Sequence, residues 1–135
     1  MKTLFTAQVV ALRQPSRAVL ALSLMALIIG VLLPGYWRDA IEAALVPRRL
    51  HFSSLMHLLL FALSAAALCC APFRWPRSRI LISALLLALL TEGLQHFVVG
   101  RHPRLRDVGI DLTGAVLGLC SVLGWQYIRE EVEKC

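Results

Sequence analysis

His57, Glu92, His96, Asp107 and Asp111 stand within or at the mouth of long apolar stretches, and with Gln95 and Arg101 they are the residues that could do chemistry. A carboxylate such as Glu92 or Asp111 can serve as a general base with His57 or His96 as acid partner, while Arg101 would hold a phosphate or carboxylate of a lipid-linked substrate. The set lacks an obvious nucleophile: no Gly-x-Ser-x-Gly elbow occurs, and the cysteines and most serines lie elsewhere. His57, Glu92, His96 and Asp111 are also donors that a metal accepts, and Glu92 and His96, four apart, share a helical face. The simpler account is that the groups satisfy one another, with Arg101, Arg104 or Arg106 pairing with Asp107 or Asp111 and Glu92 held neutral or bonded to His57. The pattern favours a binding site without metal or cofactor. An intramembrane enzyme is the alternative, with Glu92, Asp111 and His57 as its catalytic candidates.

The elements that must position these groups are set by hydropathy. Of the 135 residues 59% are hydrophobic and the mean hydropathy is +0.73, against roughly 45–50% apolar for a soluble domain. So short a chain has room for one domain, 1–135, and cannot hide that much apolar surface from water. Four apolar stretches, at about residues 17–33, 54–71, 80–99 and 108–128, have the length to cross a hydrocarbon layer of roughly 30 Å. They predict an all-α integral membrane four-helix bundle. Pro34-Gly35-Tyr36-Trp37 breaks the first, Ser53-Ser54 caps and Pro72 closes the second, and Gly100 and Pro103 end the third. Trp125 and Tyr127 mark the end of the fourth as an interfacial anchor.

Counting crossings places the chemistry. With four passes, the second span begins, the third ends and the fourth begins on one membrane face, so His57, Glu92, His96, Asp107 and Asp111 gather at a single depth beside the Arg101 loop. Glu92, Gln95 and His96 follow i, i+3, i+4 spacing and point one way. Asp107, Asp111, Gly114 and Gly118 follow steps of four, three and four, so the aspartates face a neighbour whose backbone the glycines admit. A polar pocket near one face, lined by His57, Glu92, Gln95, His96, Arg101, Asp107 and Asp111, is the expectation.

The formal charge of +6 sits in short gaps between spans rather than in a basic stripe, so nucleic acid is excluded and lipid headgroups are the partners. Lys2, Arg13, Arg17, Arg74, Arg77, Arg79, Arg129 and Lys134 make eight basic residues on one side, against six on the other: Arg38, Arg48, Arg49, Arg101, Arg104 and Arg106. That balance leans towards cytoplasmic termini. The first span reads as a retained helix rather than a cleaved leader, because its apolar run is long and Pro-Gly-Tyr-Trp is no small-residue cleavage site. Residues 38–46 fit a short interfacial helix or a solvated loop equally well. Cys69, Cys70, Cys120 and Cys135 show no metal or disulfide spacing. A carrier mechanism would require a homodimer, since four short helices leave little room for alternating access.

The run Ser54-Leu55-Met56-His57, then Thr91-Glu92-Gly93-Leu94-Gln95, then Gly100-Arg101 with Asp107, Asp111, Gly114 and Gly118, resembles the VanZ-like family of bacterial membrane proteins. The resemblance spans His57 to Gly118 and implies site status for His57, Glu92, Gln95, Arg101, Asp107 and Asp111. It also implies a bacterial inner-membrane location and an envelope-lipid or glycopeptide-like ligand, since the family's namesake is associated with lowered susceptibility to the glycopeptide teicoplanin. The chain departs from the family in having Ser53 and Ser54 where many relatives carry an acidic-basic pair, and Asp111 where many carry Asn. The first change removes a partner for His57; the second adds a negative charge.

Overall fold

The computed structural model describes residues 13–45, 52–70 and 73–134; Lys2, Val46, Arg48, Arg49, Pro72 and Cys135 lie outside the described residues. Among these residues there is no strand. The helices are α1 (Arg13–Leu32), α2 (Gly35–Leu45), α3 (Phe52–Cys69), α4 (Arg77–Gln95) and α5 (Leu105–Lys134). Leu- and Ala-rich segments favour helix intrinsically, and lipid enforces it, because a crossing segment must satisfy its backbone hydrogen bonds internally. Helices α1, α3, α4 and α5 are each apolar and long enough to cross a membrane, which makes the chain a multi-pass, all-α membrane bundle.

The helix ends differ from the sequence reading for identifiable reasons. Helix α3 starts at Phe52 rather than at residue 54 because the Glu42 carboxylate of α2 accepts the Phe52 amide at 2.9 Å, capping it from outside. Helix α4 stops at Gln95 rather than at residue 99: the amides of His96, Phe97 and Val98 turn onto carbonyls three residues back, and Gly100 then adopts φ +75°, a conformation that suits glycine. Helix α5 runs past residue 128 to Lys134, carried by charged residues that include an Arg129–Glu133 pair at 3.0 Å. Residues left between helix and loop by sequence form the helix α2, which contributes Arg38 and Glu42 four positions apart on one face.

Helices α3 and α5 make the tightest contact. A side chain on Gly114 would collide with the Leu58 carbonyl, and one on Gly118 with the Ala62 carbonyl. Both steps are four residues in the same direction, so α3 and α5 run parallel in fixed register, with α4 antiparallel between them in sequence. This is the close approach the glycine spacing predicted, and α3 is the neighbour. Helix α1 leans on α3, and α4 packs on α5. Small residues, among them Ala65, Ala84, Ala88 and Ala115, let Val31, Phe61 and Ile80 fill the centre. Leu22, Met25 and Ile28 on α1 and Leu86 and Leu90 on α4 point outward and supply the lipid-facing surface. Tyr36 and Trp37 stand exposed at one end of the bundle and Trp125 and Tyr127 at the other, as two aromatic belts.

The turn after α1 is locked to the turn after α4. Gly35 donates its amide to the Val99 carbonyl at 3.1 Å, and its Cα packs so closely on Gly100 that any side chain at position 35 would strike the Gly100 carbonyl. Helix α2 is thereby fixed over the start of α3, the end of α4 and the start of α5.

Candidate functional site

The parallel register of α3 and α5 sets His57 against Asp111. His57 Nδ1 lies 3.1 Å from Asp111 Oδ1, with His57 8% exposed and Asp111 fully buried. Whichever partner carries the shared proton, the bond occupies Nδ1 and leaves Nε2 for the cavity that His57 lines. Asp111 Oδ2 is the one buried side-chain oxygen or nitrogen with no hydrogen-bond partner among the described residues. Such an orphan is unusual in a folded protein and marks a place where structure alone does not account for the residue.

Glu92, also buried, faces the same region from α4. Its Oε2 accepts the Arg104 amide at 2.7 Å and its Oε1 accepts Gln95 Nε2 at 3.5 Å. Glu92 thus ties the end of α4 to the residue immediately before α5. Arg101 is 7% exposed; its Nη2 donates to the Gly30 carbonyl at 2.6 Å and its Nε to the Leu33 carbonyl at 3.3 Å. These are carbonyls at the end of α1 that no helical amide satisfies. Burial, and after it the neighbouring Arg38, pull the Arg101 guanidinium below the usual arginine pKa, although an arginine so placed stays charged.

Above this layer opens a polar cavity of about 130 Å³. Arg38 and Glu42 of α2 overhang it, Ser53, Ser54 and His57 of α3 form one wall, and Gln95, Arg104 and Asp107 close the other side. Beside it a larger apolar cavity of about 320 Å³ runs along α1 and α3 past Leu27, Met56 and Leu60. Arg38, Ser53, His57 and Arg101 line both. The two spaces are neighbours, with these four residues at their boundary.

The structure therefore brings His57, Gln95, Arg101 and Asp107 to the cavity wall and sets Glu92 and Asp111 in the buried layer with them. It does not bring in His96, which is exposed beyond the end of α4 with its ring edge-on to Phe97 at 5.6 Å. As the C-cap of α4, His96 keeps a helical backbone and its spacing from Glu92, but the buried face of the helix carries Glu92 and Gln95 and leaves His96 outside it. The expected pairings are also corrected. Among the described residues no arginine forms an ion pair with Asp107 or Asp111, and Glu92 bonds Gln95 and a backbone amide rather than His57. No group of three or more His, Cys, Asp or Glu suited to a metal occurs among the described residues. Sequence reasoning missed Arg38, Glu42, Ser53, Ser54 and His102 as lining residues. The i, i+4 spacing of Arg38 and Glu42 was the available signal, while Ser53 and Ser54 were read as a helix cap and as the loss of a charged partner for His57.

Fold and site together define a polytopic bundle with a polar cavity at one membrane face. The sequence profile of the VanZ/LLP1 family matches residues 3–126, and the chain belongs to that family, which as a family is linked to glycopeptide resistance. No curated protein and no solved structure matches the chain.

Proposed function

We propose that this protein binds a cell-envelope lipid or glycopeptide-like ligand at the polar cavity, without catalysis, and that through this ligand it bears on teicoplanin susceptibility. The observation that carries the reading is the junction of the two cavities: a charged space at the membrane face and an apolar space along the lipid-embedded helices share Arg38, Ser53, His57 and Arg101. A ligand polar at one end and apolar at the other has somewhere to put both. The protein sits in the bacterial inner membrane with its termini in the cytoplasm, so that the cavity opens on the envelope side. In support, Arg101, one of the six basic residues on that side, is buried against α1 and adds little loop charge.

The His57–Asp111 contact favours a second reading, an enzyme acting on a lipid-linked envelope precursor, because an imidazole oriented by a carboxyl group is a common proton-transfer arrangement. The two readings part on one variant. Glu92→Gln retains an acceptor for the Arg104 amide while removing the titratable group, so a binding protein keeps its ligand and an enzyme loses turnover. The expected result, read by native mass spectrometry of the purified protein after incubation with an envelope lipid extract, is that Glu92→Gln retains bound lipid like the wild type. In the same assay Arg38→Gln combined with Arg104→Gln is expected to lose it by about tenfold. Unchanged retention in the double variant would remove the cavity from consideration as the binding site.

A further inference from the structure

The polar cavity is small. Its volume of about 130 Å³ is below the roughly 300–1,000 Å³ of pockets for drug-sized ligands. A glycopeptide or a sugar-peptide head would stand largely outside it. A phosphate carrying a few further heavy atoms fits inside.

The cavity also offers charges of both signs, and their present partners show which are free. Arg101 is committed to the carbonyls of α1, and Glu42 to the Phe52 amide. Among the described residues Arg38 bonds Asp39, which is exposed, and the Arg104 side chain stands exposed at the rim. Ser53 and Ser54 lie in the first turn of α3, where helical amides have no partners within the helix and the dipole favours an anion. One turn from Arg104, on the wall across from Ser53 and Ser54, Asp107 is half-buried and forms no ion pair among the described residues. A purely anionic head would leave that carboxylate facing another negative charge. A head with a phosphate and an ammonium group would satisfy both sides.

The adjoining groove has room for a hydrocarbon chain. Gly30 of α1 lines it, and a side chain on Gly30 would meet nothing within 4 Å. Because the groove shares Arg38, Ser53, His57 and Arg101 with the polar cavity, it lies within reach of a chain attached to a head in that cavity.

We infer that the ligand is an aminoalkyl phospholipid, its phosphate at Arg38, Arg104 and the start of α3, its ammonium at Asp107, and one hydrocarbon chain in the groove between α1 and α3. This rests on the cavity being a lipid site and narrows that reading to one headgroup class.

The test compares two probes with the same chain, oleoyl lysophosphatidylethanolamine and oleoyl lysophosphatidylglycerol, titrated onto the full chain in a maltoside detergent and counted by native mass spectrometry. The ethanolamine lipid is expected to bind about tenfold more tightly, and Asp107→Asn to abolish that preference. Gly30→Leu, which fills the groove from open space and leaves the backbone carbonyl for Arg101, is expected to weaken both probes by about tenfold at unchanged melting temperature. Inorganic phosphate at millimolar concentration is expected not to displace either lipid, which separates a lipid headgroup from free phosphate as the source of the anion. Equal affinity for the two lipids, unaltered by Asp107→Asn, overturns the headgroup assignment while the lipid site stands. Unchanged affinity in Gly30→Leu overturns the chain position. If neither lipid responds to Arg38→Gln combined with Arg104→Gln, the lipid site itself is lost.

Discussion

The bundle has two ends of similar outline and opposite chemistry. At the end where α3 begins, a polar cavity adjoins an apolar one of about 320 Å³; towards the other end lies an apolar cavity of about 350 Å³, bordered by Phe61, Leu68, Trp75 and Ile80. Cavity size does not distinguish them. What differs is how the polar groups are used. In the second region a buried serine pair, Ser23 and Ser64 at 2.9 Å, joins α1 to α3, and Ser23 also bonds the Val19 and Leu20 carbonyls of its own helix, so the groups are satisfied. In the first region Asp111 has an orphan oxygen and Asp107 has no ion pair among the described residues. In lipid, where an unmet polar group is costly, the contrast separates a gap in packing from a site.

Three substitutions probe that contrast, each read by thermal unfolding of the purified protein. The largest effect belongs to His57→Ala, which leaves Asp111 fully buried with no partner on either oxygen among the described residues; a loss of about 3 kcal/mol is expected. His57→Ala at wild-type stability would show that the contact contributes no stability and would turn attention to His57 as a purely functional group. Next is Arg101→Gln, which removes charge-assisted bonds to the Gly30 and Leu33 carbonyls and should cost about 2 kcal/mol. The smallest is Ser23→Ala, with an expected cost of about 0.6 kcal/mol, the average for hydrogen bonds between membrane helices. A cost for Ser23→Ala equal to that of His57→Ala would erase the distinction between the two ends.

Much of this architecture could be read before any coordinates. Apolar runs broken at Pro34 and Gly100 gave four spans, and the parity of crossings brought His57, Gln95, Arg101 and Asp107 to one cavity. The pairings could not be read in the same way. Helical spacing grouped Glu92 with His96, yet only Glu92 and Gln95 are buried, because which side of α4 turns inward depends on the helices packed against it. Arg101 looked like an ion-pair partner for the aspartates, and instead it serves carbonyls of α1, a helix about seventy residues earlier.

The amino-acid order by itself determined that this is a membrane bundle whose second, third and fourth spans carry their ionisable groups near one face, because hydropathy and the number of crossings depend only on the chain. Only the packed structure decided which charge meets which. Register between helices is set where Gly114 and Gly118 seat against the backbone of α3, and a contact of that kind arises from two surfaces fitting together, which no spacing within one helix encodes.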